Sequence, residues 1–202
     1  MNKDYINLNI KEEINKKIYS IDKVRNARIK ASKRLENYAK QWNFLFFLLN
    51  VLAVIFVLSA LVLISNNGFS FIASCYSLYV ILLQYYISIQ NYKERALRFH
   101  YHQLQLEDAI IQLKILIFNY YDYSDNKVIE KYKEIMNQHH LKLANIENHS
   151  DKDFLLGNEK NNKQYKKEVN IDNFILLMNY FVLLCLIMYY IFFLKFYGVN
   201  YG

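Results

Sequence analysis

The chain has 202 residues, of which 54% are hydrophobic and 17% aromatic, with four glycines and no proline. Its 25 Lys and Arg outnumber its 18 Asp and Glu, which gives a formal net charge of +7. This composition excludes a disordered, collagen-like or disulfide-framework protein. The scarcity of glycine and proline also argues against an all-β fold built on tight turns.

Charged residues are absent from two long stretches. Residues 41–92 form an uncharged run of 52, and residues 173–194 form another of 22. About 20 apolar residues in a helix cross a hydrocarbon core of about 30 Å. We therefore predict an all-α integral membrane protein with spans at 43–64, 70–91 and 173–194, rather than a soluble protein with buried helices. Asn66-Asn67-Gly68 supplies the turn between the first two spans, which form a hairpin.

The three spans differ in their tendency to insert. Leu, Ile, Phe and Val number 17 in the first span, 9 in the second and 14 in the third. Each such residue favours insertion by roughly 0.3–0.6 kcal/mol at a helix centre. The second span is therefore expected to insert as the second arm of the hairpin, led by the first.

Lys and Arg residues set the expected orientation. Residues 1–41 hold 11 of them and residues 93–171 hold 13, while the turn at 65–69 holds none. The positive-inside rule places both charged segments of this multi-pass membrane protein in the cytoplasm. If 173–194 crosses fully, the tail from Lys195 to Gly202 lies outside. A polar segment precedes the first span, so we expect no signal peptide. The basic excess meets anionic lipid head groups, and interleaved acidic residues argue against direct nucleic-acid binding.

The charged segments are predicted to be helical. Residues 1–41 form a basic amphipathic helix that is expected to run straight into the first span. Its apolar or small residues recur every three or four positions. They are Ile10, Ile14, Ile18, Ile21, Ala31, Leu35, Tyr38 and Trp42.

Residues 93–149 form the second predicted cytoplasmic helical region. It contains an apolar seam with steps of 4-3-4-3-4-3, the rhythm of a helix–helix contact, with one acidic member. The seam consists of Leu97, Tyr101, Leu104, Asp108, Ile111, Ile115 and Phe118. If Asp108 is buried in an oligomer it needs a basic partner, and otherwise it stays solvated. A further helix is predicted at about 127–147. Residues 150–171 are interpreted as a polar linker. Residues 172–202 comprise the last transmembrane helix and a short tail.

Nothing in the sequence predicts catalysis, a metal site or a cofactor. Cys75 and Cys185 both fall within spans, where thiols pack as small apolar groups. The neighbouring histidine pairs have spacings that point the two rings in different directions on a helix. The contiguous run His149-Ser150-Asp151 does not place three side chains on one substrate atom. We therefore expect a non-enzyme.

The second span carries the feature on which a function can be argued. Its polar residues recur with steps of 4-3-7-4-3, so one face is polar across the bilayer except at Ile81. They are Ser70, Ser74, Ser77, Gln84, Ser88 and Asn91. Polar groups without hydrogen-bond partners are unfavourable in lipid, so such a face is expected to contact protein or water. Close helix packing is one interpretation, and the lining of a pore shared by several copies is the other. The same rhythm continues to Arg95, Arg98 and His102, which would form the cytoplasmic mouth of such a pore.

Three short segments in order resemble the SLATT family of two-transmembrane effector domains. Arg28-Ile29-Lys30-Ala31-Ser32-Lys33-Arg34-Leu35 precedes the hairpin, and Gln90-Asn91-Tyr92-Lys93-Glu94-Arg95-Ala96-Leu97 follows it. Glu147-Asn148-His149-Ser150-Asp151 is similar to a segment of the subgroup encoded beside reverse transcriptases. The resemblance covers residues 15–155 and leaves the third span outside the two-span core.

The resemblance implies a membrane effector of bacterial anti-phage, abortive-infection systems. Such an effector would oligomerise through the seam and form a pore or disrupt the inner membrane. A reverse transcriptase or a nucleotide-second-messenger synthase would be encoded nearby as its partner. The alternative is a non-conducting membrane anchor that positions a partner defence enzyme. Because the third span lies outside the two-span core that the resemblance covers, it would serve as a plug, an anchor or an oligomer contact.

Overall fold

A computed structural model describes residues 9–62, 67–142, 147–148, 150–158 and 171–200. The elements within these ranges are all helical, which confirms the all-α prediction. They are α1 (Ile10–Val62), α2 (Asn67–Gln90), α3 (Tyr92–Phe118), a 3₁₀ turn (Tyr120–Asp122), α4 (Asp125–Lys142), α5 (Asp151–Asn158) and α6 (Ile171–Asn200). Part of the predicted Asn66-Asn67-Gly68 turn lies outside the described residues, and α2 begins at Asn67.

Three helical stretches are long and apolar enough to cross a membrane, one in each predicted span. The first belongs to α1, a single helix of 53 residues that carries both the basic segment and the first span. The side chain of Asn9 caps its start, because Asn9 Oδ1 accepts a hydrogen bond from the Lys11 amide at 3.1 Å. Without an internal proline or glycine, nothing in α1 interrupts the backbone hydrogen bonds.

The chain divides into two compact units. Unit 1 contains residues up to Asn37 together with Tyr92–Lys163, and so combines the first half of α1 with α3, α4 and α5. Its core is an apolar cluster drawn from α1, α3 and α4. The fully buried members are Ile14, Ile21, Leu106, Ile110, Leu113, Leu116 and Val128. The predicted apolar face of α1 is the face that is buried, with Ala31 at 0% and Leu35 at 1% exposure.

Unit 2 contains Tyr38–Asn91 and Gln164–Gly202, and combines the second half of α1 with α2 and α6. Each of the three helix pairs is joined by a hydrogen bond. Tyr76 Oη of α2 donates to the Leu49 carbonyl of α1 at 3.0 Å. The Ser59 and Tyr190 hydroxyls join α1 to α6 at 2.8 Å, and Tyr79 Oη donates to Asn179 Oδ1 of α6 at 2.5 Å. Stacked rings, such as Phe69 and Phe193 at 4.3 Å between centroids, fill the space between the helices.

One sequence-based boundary needs correction. Residues 150–171 are not a linker throughout, because Asp151–Asn158 forms α5, while residues 159–170 lie outside the described ranges. The helix predicted at about 127–147 corresponds to α4 (Asp125–Lys142), and residues 143–146 lie outside the described ranges. The pattern missed α5 because a helix of eight residues is too short for apolar periodicity to appear.

Candidate functional site

The polar face of α2 lies mainly on the outside of unit 2. Ser74, Gln84 and Ser88 are exposed, and Ser70 and Ser77 are half-buried. Tyr79, two residues after Ser77, contacts Asn179 of α6. Side chains two positions apart on a helix point about 160° away from each other. The polar face and the side of α2 that meets α6 are therefore nearly opposite. α6 of the same chain therefore does not cover this face, on which Ser74, Gln84 and Ser88 stay exposed.

The polar groups on this face are satisfied to different degrees. Ser74 Oγ donates to the Ser70 carbonyl at 2.9 Å, and Ser77 Oγ donates to the Ala73 carbonyl at 2.9 Å. Such bonds to the helix's own backbone reduce the cost of a hydroxyl in lipid. The Gln84 amide, by contrast, has no hydrogen-bond partner among the described residues. An amide in that position needs a neighbouring molecule or water.

Asn91, the last member of the polar face, ends α2. It has a positive φ of 48° and separates α2 from α3. Asn is among the few non-glycine residues that adopt this left-handed conformation readily. The polar face of α2 therefore stops at a break in the helix, and the predicted continuation of its rhythm is carried by a separate helix.

The three residues predicted for a pore mouth have different environments within α3. Arg98 is exposed and pairs with Glu94 one turn earlier, at 2.6 Å between Nη2 and Oε1. Arg95 is half-buried and pairs with Glu147. His102 is 2% exposed and lies on the buried face of α3. Only Arg98 thus presents a side chain mainly to solvent.

The seam of α3 is exposed along its whole length. Exposure runs from 45% at Leu104 to 80% at Phe118, and Asp108 is exposed and accepts a hydrogen bond from Gln112 Nε2 at 3.1 Å. The core of unit 1 uses the opposite face of α3. This second face comprises Tyr92, Ala96, Phe99, His102, Leu106, Ala109, Ile110, Leu113 and Leu116. Most of these residues also recur at three- and four-residue steps, but the seam follows a heptad more regularly, so periodicity alone favours the seam.

The structure brings the three SLATT-like segments together in unit 1. Arg34 of α1 forms two hydrogen bonds with Asp153, from Nε to Oδ1 at 3.0 Å and from Nη2 to Oδ2 at 2.8 Å. Arg95 of α3 forms a similar pair with Glu147, from Nε to Oε2 at 2.9 Å and from Nη2 to Oε1 at 2.5 Å. Arg28 of α1 donates from Nη1 to the Glu147 carbonyl. We call Arg28, Arg34 and Arg95 the arginine cluster, and residues 147–158 the acidic segment.

Asp153 also holds the start of α5 in shape. The Asp153 amide donates to Ser150 Oγ at 3.2 Å, and the Ser150 amide donates to Asp153 Oδ2 at 3.3 Å. This reciprocal pair is a capping box with Asp in place of the usual Glu. Burial raises the pKa of Asp153, but the hydrogen bonds from Arg34 and Ser150 outweigh it and bring that pKa below its ordinary value.

Gly157 fixes the distance between α5 and α1. A Cβ atom at this position would lie 2.7 Å from the Asn26 carbonyl carbon and 2.8 Å from the Ala27 amide nitrogen. Only glycine therefore fits while the two backbones remain this close. The acidic segment contacts α1 at Asn26, Arg28 and Arg34, which span just over two helical turns.

An all-α protein with three helices able to cross a membrane, and without a described catalytic constellation, defines the broad class: a helical membrane protein. The model of the family described as SMODS and SLOG-associating 2TM effector domain, family 5, matches residues 10–199. The chain belongs to this family, which confirms the SLATT resemblance. No curated protein and no solved structure matches the chain. The match includes α6, so the third span is part of the family's pattern and not an addition beyond residue 155.

Membership establishes the general class of function. The family consists of membrane effector domains associated with defence systems. The family's name links it to SMODS and SLOG components of nucleotide-signalling systems, which agrees with a synthase as a functional neighbour.

Proposed function

We propose that this protein is the effector of an anti-phage, abortive-infection system and that it permeabilises the inner membrane as a homo-oligomer. The observation that carries the proposal is the polar face of α2, which points away from α6 and leaves Ser74, Gln84 and Ser88 exposed. In particular, the exposed Gln84 amide lacks a partner among the described residues. A second copy or a column of water would supply the missing hydrogen bonds.

One chain is not sufficient for a conduit. The spans α1, α2 and α6 are hydrogen-bonded pairwise, and aromatic rings such as Phe56, Phe69 and Tyr190 occupy the space between them. A pore therefore needs several chains, each contributing the polar face of its α2. Arg98 is then the best placed of the three mouth residues, with Arg95 and His102 supporting the fold of α3.

The seam of α3 provides the second support. The seam exposes six apolar side chains on one helix face. A monomeric soluble protein rarely exposes a contiguous apolar patch of this kind. Chains inserted in one membrane with the same topology present their α3 helices in parallel. A parallel contact along the 4-3 rhythm is the geometry that such a seam favours. The seam is therefore assigned to contacts between copies.

A specific observation favours the alternative of a non-conducting anchor. The serines of the polar face close hydrogen bonds onto their own helix, as Ser74 does with the Ser70 carbonyl at 2.9 Å. Those serines then permit close packing against a partner without water. In this alternative the protein positions a defence enzyme at the membrane, and the membrane potential stays intact.

Expression of the full chain with its neighbouring genes during phage infection, in cells loaded with a potential-sensitive dye, separates the two functions. The effector collapses the potential, and the double variant Ser77→Leu, Gln84→Leu abolishes the collapse while still inserting in the membrane. Tyr86→Leu, a change on a lipid-exposed side of the same helix, serves as the matched control and leaves the collapse unchanged. If the double variant depolarises cells as well as the parent, the polar face is not the conduit.

A further inference from the structure

Within the described residues, two carboxylates, those of Asp153 and Glu147, form ion pairs with the three arginines of the cluster. Arg34 and Arg95 each hold one carboxylate, whereas Arg28 contacts the neutral Glu147 carbonyl and the Phe99 ring, at 4.9 Å from its guanidinium carbon to the ring centroid. Arg28 is 4% exposed, and its Nε has no acceptor within the described ranges. A guanidinium buried in this way favours an additional anion.

The cluster does not depend on the acidic segment for its shape. Ser32 Oγ of α1 donates to the Ala96 carbonyl of α3 at 2.9 Å, directly between the turns that carry Arg28, Arg34 and Arg95. Arg25 of α1 lies 3.8 Å from Glu107 of α3, and the apolar core of unit 1 joins the same two helices. If the acidic segment moves away, the stretches of α1 and α3 that carry the three arginines therefore stay joined.

Carboxylate and phosphate are recognised by the same paired hydrogen bonds from arginine. We propose that the arginine cluster is a binding site for a small anion with two or more phosphoryl groups, and that Glu147 and Asp153 occupy it as an internal substitute. Such an anion replaces the two carboxylate pairs and also neutralises Arg28. Binding is an exchange of ionic contacts, with no covalent change.

The arginine cluster and the acidic segment both lie in unit 1. Binding of the anion to the cluster therefore does not rest on the proposed membrane function.

Inorganic tripolyphosphate is the probe, titrated calorimetrically into the full chain in detergent micelles. The variant Glu147→Gln, Asp153→Asn is expected to bind it at least tenfold more tightly than the parent, because the internal substitute is lost. Adding Arg34→Gln and Arg95→Gln is expected to abolish that binding. Arg98→Gln in the same background is the matched control, since Arg98 sits on an exposed pair with Glu94, and it leaves binding unchanged.

Gly157→Ala provides an independent route if the charge variant fails to fold. It displaces α5 from α1 and alters no charge, so tighter tripolyphosphate binding is again expected. A nitroxide at Leu155, in a background lacking Cys75 and Cys185, is expected to become mobile when the probe binds to otherwise parental protein. Failure of both releasing variants to bind, or equal binding without Arg34 and Arg95, overturns the proposal.

The same phosphate chemistry occurs on a soluble anion and on a lipid head group. Repeating the titration in phosphatidylcholine nanodiscs with and without cardiolipin distinguishes these sources. Competition by cardiolipin supports a head group as the occupant, and unchanged binding supports a soluble anion. Because no leakage is measured in any of these experiments, their outcome is independent of the test of membrane permeabilisation.

Discussion

Arg34 and Asp153 form a paired ionic contact, at 3.0 and 2.8 Å, in which the carboxylate is 1% exposed and the guanidinium side chain 26% exposed. The contact joins residues 119 positions apart in the sequence. Because the same carboxylate caps α5, one side chain couples the local fold of α5 to its attachment on α1. The attachment of α5 should therefore be unusually sensitive to substitutions at Asp153.

Asp153→Asn should weaken the docking of α5 by about 2–4 kcal/mol, since it removes the charge and leaves Arg34 partly buried opposite a neutral amide. Hydrogen exchange of the backbone amides in 151–158 measures the effect. Glu94→Gln, which removes the carboxylate of an exposed pair, should change that exchange very little. Equal protection in the parent and in Asp153→Asn contradicts this assignment.

Docking of α5 should also weaken in acid. The pKa of Asp153 is lowered in the folded protein, so its ionised form stabilises docking above its unfolded pKa of about 3.9. That stabilisation is lost as the pH falls from about 4 through the folded pKa. Mobility of a nitroxide at Leu155 reports the transition. In the Asp153→Asn protein the nitroxide should already be mobile at neutral pH, and its mobility should not increase further as the pH falls through this range.

The two faces of α3 should respond differently to the same kind of substitution. Ile111→Ser, on the exposed seam, should reduce the oligomer mass in detergent and leave the fold of unit 1 intact. Leu113→Ser, two residues further on, should destabilise unit 1 by about 2–5 kcal/mol, because Leu113 is 0% exposed. Light scattering gives the mass and circular dichroism the helicity. A parent chain that is monomeric at all concentrations contradicts the role of the seam.

Asp108 should limit association along the seam. Parallel copies bring their Asp108 carboxylates close together, and like charges in a contact oppose it. Asp108→Leu should therefore tighten self-association several-fold, whereas Gln112→Leu beside it should have a smaller effect. Sedimentation in detergent matched to solvent density measures both. Weaker association of Asp108→Leu indicates instead that the carboxylate has a basic partner in the assembly.

The third span should be loosened by Asn179→Leu. Asn179 is 6% exposed and accepts a hydrogen bond from Tyr79, and hydrogen bonds between helices in membranes contribute about 0.6–2 kcal/mol. Thermal unfolding in detergent micelles should show a lower midpoint. Leu177→Asn, which places an asparagine on an exposed side of α6, is the control, and it should not raise the midpoint. If Asn179→Leu unfolds at the parental temperature, the bond to Tyr79 contributes nothing to packing.

The spans and the family could be recognised from local information. Fifty-two consecutive uncharged residues, in a chain with this many Lys and Arg elsewhere, favour a membrane hairpin over buried helices of a soluble protein. In α1, apolar residues such as Leu35 and Trp42 recur at the spacing expected for one side of a helix, and that side is buried in the structure. For α3 the same reasoning was insufficient, because apolar residues occur on two opposite faces. Periodicity shows that Ile111 and Leu113 each belong to a regular series, but not which series meets the core.

What the sequence alone determined is the helical class, the three spans and the order of the family's segments, since each depends on residues within a few turns of one another. Only the tertiary structure decided that Arg28, Arg34 and Arg95 meet the segment from Glu147 to Asp153, because contacts across 52 to 119 positions leave no periodic trace. Folding also decided that the polar face of α2 points away from α6. The reason in both cases is that packing, rather than local helix preference, selects which faces of these helices are covered.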